Sequence, residues 1–264
     1  MQTTKFTDGT TISFETHGAQ ERDTQRAAPA CDRGPEPLIL VHGSTGSRES
    51  WLPHLREAGP LVAMDRRGRG ESGDAPDSYA LEREVGDVEA VLETTGAMRL
   101  FGHSFGGLCA LNVATRDAVD LEKIVLFEPA ILVGEHRAYD AADRMADLLD
   151  DGDREGAMRL AFREMTGIED VEALPHWPEV IELAEVTQRE FEAVEFYELP
   201  GPLDVDPVVL LLTGEHSPDF LTDAVREVHD RLPESRLVEV EGVGHTGLED
   251  PARTMSPVVD FLTN

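Results

Sequence analysis

Residues 98–115 read MRLFGHSFGGLCALNVAT. The apolar run MRLF (98–101) has the character of a buried strand, and GLCALNVAT (107–115) has that of a helix. Between them GHSFGG, Gly102–Gly107, must reverse from one to the other within a few residues. A turn that sharp places Ser104 in a strained backbone conformation and lifts its hydroxyl above the sheet. Positions 102 and 106 are glycine because side chains there would collide with adjoining backbone. The N-terminal amides and positive dipole end of the following helix then favour negative charge next to that hydroxyl, which is the charge that develops during acyl transfer.

Short apolar runs of the same kind recur on both sides of this turn. TISFE (11–15), LILV (38–41), LVAM (61–64), KIVLF (123–127), VVLLLT (208–213) and RLVEV (236–240) read as strands, several of them apolar on both faces. Helical patterning is expected at about 80–95, 106–117, 219–232 and 251–262. Strand and helix in alternation specify an α/β fold with a mostly parallel, doubly wound sheet. Two segments interrupt the alternation. Residues 18–36 are polar and rich in Pro, Gly and Arg, as in an elongated surface loop. Residues 130–203 hold AADRMADLLDDGD, GAMRLAFREMTG and VIELAEVTQREFEAVEFY, with apolar residues at three and four spacing. The expected division is therefore a core of residues 1–129 and 204–264, with 130–203 inserted as a helical cap over the end of the sheet where such folds bind ligands.

Four motifs in chain order resemble the α/β-hydrolase superfamily, and the resemblance covers nearly the whole chain. LILVHGS (38–44) looks like its third strand and His-Gly loop, and MDRRGRGESG (64–73) like the loop after its fourth strand. GHSFGG matches the nucleophile elbow, and GVGH (242–245) the late histidine. The resemblance implies Ser104 as nucleophile and His245 as its general base, because a serine hydroxyl is a poor nucleophile without one. It also implies an oxyanion hole from the backbone amides of Phe105 and Ser44. The superfamily usually carries an Asp three residues beyond a glycine after its seventh strand, but here that offset from Gly214 holds Ser217. Glu128, which directly follows KIVLF, is the favoured replacement, since some members place the acid after the sixth strand and the extra methylene helps it reach an imidazole. Asp219 and Glu215 are substitutes. His42, Gly43, Trp51 and Trp177 are expected to line the substrate pocket. Arg66, Arg67 and Arg69 are expected to tie neighbouring loops together.

The expected activity is a cofactor-independent serine hydrolysis of a small carboxylic ester or related acyl compound. The alternatives are another chemistry of the same scaffold (lyase, perhydrolase or carbon–carbon bond hydrolase) or a receptor-like ligand binder. No spacing of His, Cys or carboxylates suggests a metal, and no GxGxxG opens a helix after the first strand, so no nucleotide cofactor is expected.

The charge balance narrows the partners. With 23 Lys plus Arg against 53 Asp plus Glu, the net charge is −30, which repels phosphate backbones and anionic lipid headgroups. The partner implied is a small acyl molecule, with no nucleic acid and no membrane, and the oligomeric state stays open. The N-terminus has neither the basic start nor the apolar stretch of a secretory signal, and Cys31 and Cys109 stand outside any paired motif. A cytoplasmic location is expected. Lysine occurs only at Lys5 and Lys123, and acidic residues are spread along the chain. Dispersed acid with scarce lysine suggests halophilic adaptation, in which cations screen self-repulsion.

Overall fold

The computed structural model describes residues 1–6, 8–18, 36–75, 79–116, 118–168, 170–174 and 176–264. Within them, β1 (Gln2–Lys5), β2 (Thr11–His17), β3 (Leu38–Val41), β4 (Leu61–Met64), β5 (Arg99–His103), β6 (Lys123–Phe127), β7 (Val208–Gly214) and β8 (Ser235–Val240) form one eight-stranded sheet. Its order is β1-β2-β4-β3-β5-β6-β7-β8. The pairs β1/β2 and β2/β4 are antiparallel and the remainder parallel. LILV and LVAM are buried at every position, as strands covered on both faces must be.

Alternate residues of each strand feed opposite cores. Ile39, Val41, Leu100, Leu126 and Leu211 pack with residues of α1 (Leu81–Thr95), α2 (Phe105–Ala114) and α7 (Asp219–Arg231). Leu38, Leu40, Phe101, Phe127 and Leu212 point the other way, onto Trp51, Leu55 and α8 (Pro251–Thr263). This two-residue alternation fixes which strand ends carry loops to the same edge of the sheet.

Between β6 and β7 the chain forms α3 (Ala141–Asp150), α4 (Arg154–Thr166), α5 (Trp177–Ile181) and α6 (Ala184–Phe196). These helices gather a third apolar cluster of their own, including Met145, Met158, Phe162, Trp177 and Phe191. The strand β1 lies outside the expected set. Its residues, QTTK, are mostly exposed, so it carries no apolar alternation to read and is held by its ladder to β2. Of the expected surface loop at 18–36, residues 19–35 lie outside the described residues. Among the described residues, no helix is long and apolar enough to cross a membrane.

Candidate active site

Ser104 follows β5 with φ 54° and ψ −122°, an unfavourable conformation for a residue with a side chain. The neighbouring strand holds it there. The Ser104 amide donates to the Phe127 carbonyl at 3.0 Å, and the Ser104 carbonyl accepts from Ala130 and Leu108 at 3.1 and 3.0 Å. Packing closes the turn further, since a Cβ on Gly106 would lie 2.4 Å from the Val41 carbonyl oxygen and 2.5 Å from that of His42. The start of α2 therefore rests directly against the end of β3, with no room for even one methyl group.

The Ser104 hydroxyl meets His245 Nε2 at 3.0 Å, and His245 Nδ1 meets Glu128 Oε2 at 2.6 Å. Glu128 is itself at positive φ, 44°, immediately beyond β6. Its other oxygen, Oε1, accepts from the Gly214 amide at 2.7 Å and from Thr213 Oγ1 at 2.8 Å. Burial would push this carboxyl up, but the His245 ring and the Gly214 amide outweigh it and hold the group below the ordinary glutamate value. A buried carboxylate fixed on both oxygens can orient an imidazole and stabilise its cation. Neither alternative carboxylate is so placed. Glu215 accepts the Gly242 amide at 2.8 Å, and Asp219 opens α7 on the exposed side.

Two further histidines lie nearby, and one of them braces this chain of contacts. His103 donates through Nε2 to the His245 carbonyl at 2.9 Å and stacks at a tilt on the His245 ring, centroid to centroid 4.9 Å. Burial, followed by His245, pushes His103 down to about 3, so its ring is neutral, and the contact with the His245 carbonyl selects the tautomer with its proton on Nε2. His42 donates through Nδ1 to the Gly43 carbonyl at 2.8 Å and accepts the Arg66 amide at 3.1 Å. Burial and then Arg66 hold it well below the usual histidine value.

The arginines after β4 are buried and paired. Arg67 binds both Asp87 oxygens at 2.7 and 2.9 Å. Arg66 contacts both oxygens of Glu84 at 2.8 and 3.2 Å, and also meets Glu190 Oε1. Arg69 Nε donates to the Ser44 carbonyl at 2.8 Å, and Arg69 Nη2 reaches Glu190 Oε1 at 3.0 Å. Glu190 stands on α6, so the inserted helices are joined to the loop after β3 through a fully buried ion cluster. Glu190 has no local sequence signal. It sits among many acidic residues in a helix, and only its contacts with arginines more than a hundred positions away single it out.

Two cavities meet at Ser104 and His245. The narrower lies against Phe105, Leu132, Tyr139, Glu190 and Phe220. The wider is lined by Gly43, Trp51, Phe162, Leu174 and Leu248. Ser44 borders both, while Phe105 supplies the first amide of α2, which has no acceptor within the helix. Of the four expected pocket residues, Gly43 and Trp51 line the wider cavity. His42 and Trp177 line neither. The His42 ring is drawn inward by its bonds to Gly43 and Arg66, and Trp177 packs edge-on against Phe162 within the apolar cluster of the inserted helices.

A Ser–His–carboxylate chain at the end of a parallel sheet of this order is the arrangement found in one large enzyme family, and residues 38–256 match the alpha/beta hydrolase family. The chain belongs to that family. Among curated proteins, this hydrolase is 28% identical to the putative 2-succinyl-6-hydroxy-2,4-cyclohexadiene-1-carboxylate synthase of Bacillus subtilis (strain 168), across 88% of this chain and 93% of that one. It is 24% identical to the (E)-2-((N-methylformamido)methylene)succinate hydrolase of Acinetobacter baylyi, across 80% and 83%. Among solved structures, an alpha/beta hydrolase from Sphaerobacter thermophilus DSM 20745 superposes with a TM-score of 0.80 at 26% identity, with full coverage of both chains.

Proposed function

We propose that the protein is a serine hydrolase that cleaves a small carboxylic ester or related acyl compound through Ser104, His245 and Glu128. The observation that carries this reading is the unbroken path from Ser104 Oγ to His245 Nε2 and from His245 Nδ1 to Glu128, at 3.0 and 2.6 Å. Ser104 Oγ attacks the substrate carbonyl as its proton passes to His245 Nε2. The tetrahedral oxyanion is held by the Phe105 and Ser44 amides, and collapse expels the alcohol, which leaves with that proton. Water then attacks the acyl-enzyme, giving a proton to His245 that returns to Ser104, and the acid is released. In this scheme the helices between β6 and β7 act as a cap, because they supply the far walls of both cavities.

A second reading comes from the Bacillus relative, whose name is that of a synthase, so the same three groups could serve a non-hydrolytic reaction. Both relatives are named for carboxylate-bearing molecules. Among the described residues no Lys or Arg lines either cavity, so that substrate class is not carried over to this chain.

The deciding experiment treats wild type and Ser104→Ala with a fluorophosphonate probe and with short-chain chromogenic esters. Labelling and turnover are expected in the wild type and absent from the variant. Labelling that persists in Ser104→Ala would remove the serine from the reaction.

A further inference from the structure

The narrow cavity beside Ser104 has a wall that apolar packing does not account for. Glu190 is fully buried on α6 and borders this cavity. Its Oε1 is occupied by Arg66 and Arg69. Among the described residues its Oε2 has no hydrogen-bond partner. A buried carboxylate oxygen without a donor is costly to keep, on the order of 1–3 kcal/mol, and such atoms in native proteins call for a ligand or functional explanation.

The surroundings restrict what can donate to that oxygen. Glu164 and Glu195 border the same cavity. Glu164 is engaged by Tyr139 at 2.5 Å and Arg144 at 3.1 Å, and Glu195 accepts the Ala142 amide at 2.9 Å. An anionic group entering here would meet Glu195, which among the described residues has only a backbone amide as partner, and Glu164 and Glu190, whose charges Arg144, Arg66 and Arg69 already offset, with no Lys or Arg in the wall to receive it. Arg69 Nη1 is also unpartnered among the described residues, but Arg69 borders neither cavity. A cation at Oε2 would stand close to the two guanidiniums that already neutralise Glu190. An uncharged donor suffers neither repulsion, and the remaining lining, including Phe105, Leu132, Phe191 and Phe220, suits a short hydrocarbon frame.

We propose that Glu190 is a specificity-determining residue: the narrow cavity receives an uncharged substrate group that carries a hydroxyl or N–H donor to Glu190 Oε2, and carboxylate-bearing groups are rejected there. This rests on the serine-hydrolase reading, because the cavity matters as the place where one side of the scissile carbonyl is held.

The test compares kcat/KM for the para-nitrophenyl esters of butyrate, β-hydroxybutyrate and succinate, which differ at the acyl end alone. A hydrogen bond to a charged group corresponds to on the order of a tenfold gain or more, so the hydroxybutyryl ester should exceed the butyryl ester by at least that factor. The succinyl ester should fall below the butyryl ester by roughly tenfold or more, since its carboxylate must shed water beside Glu195 with no Lys or Arg in the wall to receive it. In Glu190→Gln, whatever its absolute rate, the hydroxybutyryl-to-butyryl ratio should shrink several-fold, because the amide oxygen stays with Arg66 and Arg69 and an uncharged NH₂ donor replaces the charged acceptor at the Oε2 position. Equal rates for the butyryl and hydroxybutyryl esters in the wild type, or a succinyl ester cleaved as fast as the butyryl one, would overturn the proposal without any variant having to fold. Fluorophosphonate labelling of Ser104 separates the two readings. Labelling with flat ratios removes only the specificity claim, whereas absence of both labelling and turnover removes the hydrolase reading and this claim with it.

Discussion

Replacing Glu128 with Gln removes one charge and almost no volume at a site where the geometry leaves few ways to compensate. Glu128 is fully buried, with Oε2 facing His245 Nδ1 at 2.6 Å and Oε1 accepting from Gly214 and Thr213. If the Gln oxygen keeps the Gly214 and Thr213 bonds, its NH₂ faces Nδ1. The imidazole must then carry its proton on Nε2, the nitrogen that should take the proton of Ser104. If the amide flips, its NH₂ opposes the Gly214 N–H, and a buried donor is left unpaired at about 1–3 kcal/mol. Both orientations also lose the anion that stabilises the imidazolium. A wrong-tautomer change of this kind costs roughly 10⁴-fold in kcat, about 5 kcal/mol of transition-state stabilisation. The assay is kcat on a short-chain chromogenic ester, with far-ultraviolet circular dichroism to show that the variant is folded. Asp219→Asn serves as the control and should change kcat by less than about twofold, as exposed substitutions remote from the reacting groups usually do. A folded Glu128→Gln enzyme that keeps more than a tenth of wild-type kcat would refute the assignment of the acid.

Gly106→Ala places a methyl group 2.4 Å from the Val41 carbonyl oxygen, so thermal unfolding should show a loss of about 3 kcal/mol or more, and a cost under about 1 kcal/mol would mean that the turn yields easily. His103 is held neutral in the fold and pushed down to about 3, whereas in the unfolded chain it titrates near 6.5. The unfolded chain therefore binds a proton first as the pH falls, so stability is full above about 6.5 and drains away toward 3. Urea titrations from pH 7.5 to 4.5 should show this decline, and His103→Gln should flatten it; an unchanged slope in the variant would point to other groups. Because the net charge is −30, the melting temperature should rise with KCl as the screening length shrinks from about 10 Å at 0.1 M to about 3 Å at 1 M. A flat melting temperature over that range would count against salt adaptation.

The fold could be read from one dimension because its central strands are short, apolar on both faces and punctuated by glycine turns, a pattern with few alternative arrangements. The five strands β3 to β7 carry that pattern, β2 and β8 beside them keep enough apolar residues to be read, and β1 does not, since an exposed edge strand such as QTTK has no burial to impose one. Within the site, legibility follows backbone strain. Ser104 is marked by the flanking glycines that its turn requires, and His245 by the glycine loop that presents it. The carboxylate was less determinate, because Glu128, Glu215 and Asp219 all follow strand ends and only coordinates show which one faces the imidazole. Trp177 illustrates the opposite difficulty: a large aromatic in a helical segment packs equally well into a pocket or into its own helices, and here Phe162 claims it. Glu190 lay beyond sequence reading altogether, since its meaning depends on burial beside Arg66 and Arg69.

The attachment of Glu128 to β6 has a consequence for how such an enzyme can change. Ser104 and Glu128 sit on adjacent strands, and the backbone bonds from Ser104 to Phe127 and from Ala130 to Ser104 lash the two bends together. Ser104 and Glu128, the two side chains that meet the imidazole, thus belong to one rigid corner. The segment after β7, from Glu215 to Pro218, is tied instead to the loop that carries His245: the Glu215 and His216 amides donate to the Val240 and Val243 carbonyls at 3.0 and 2.9 Å, and Glu215 accepts the Gly242 amide. A change of length there would move the loop of the imidazole against a corner that stays put, so the spacing of serine and histidine is the coordinate free to drift.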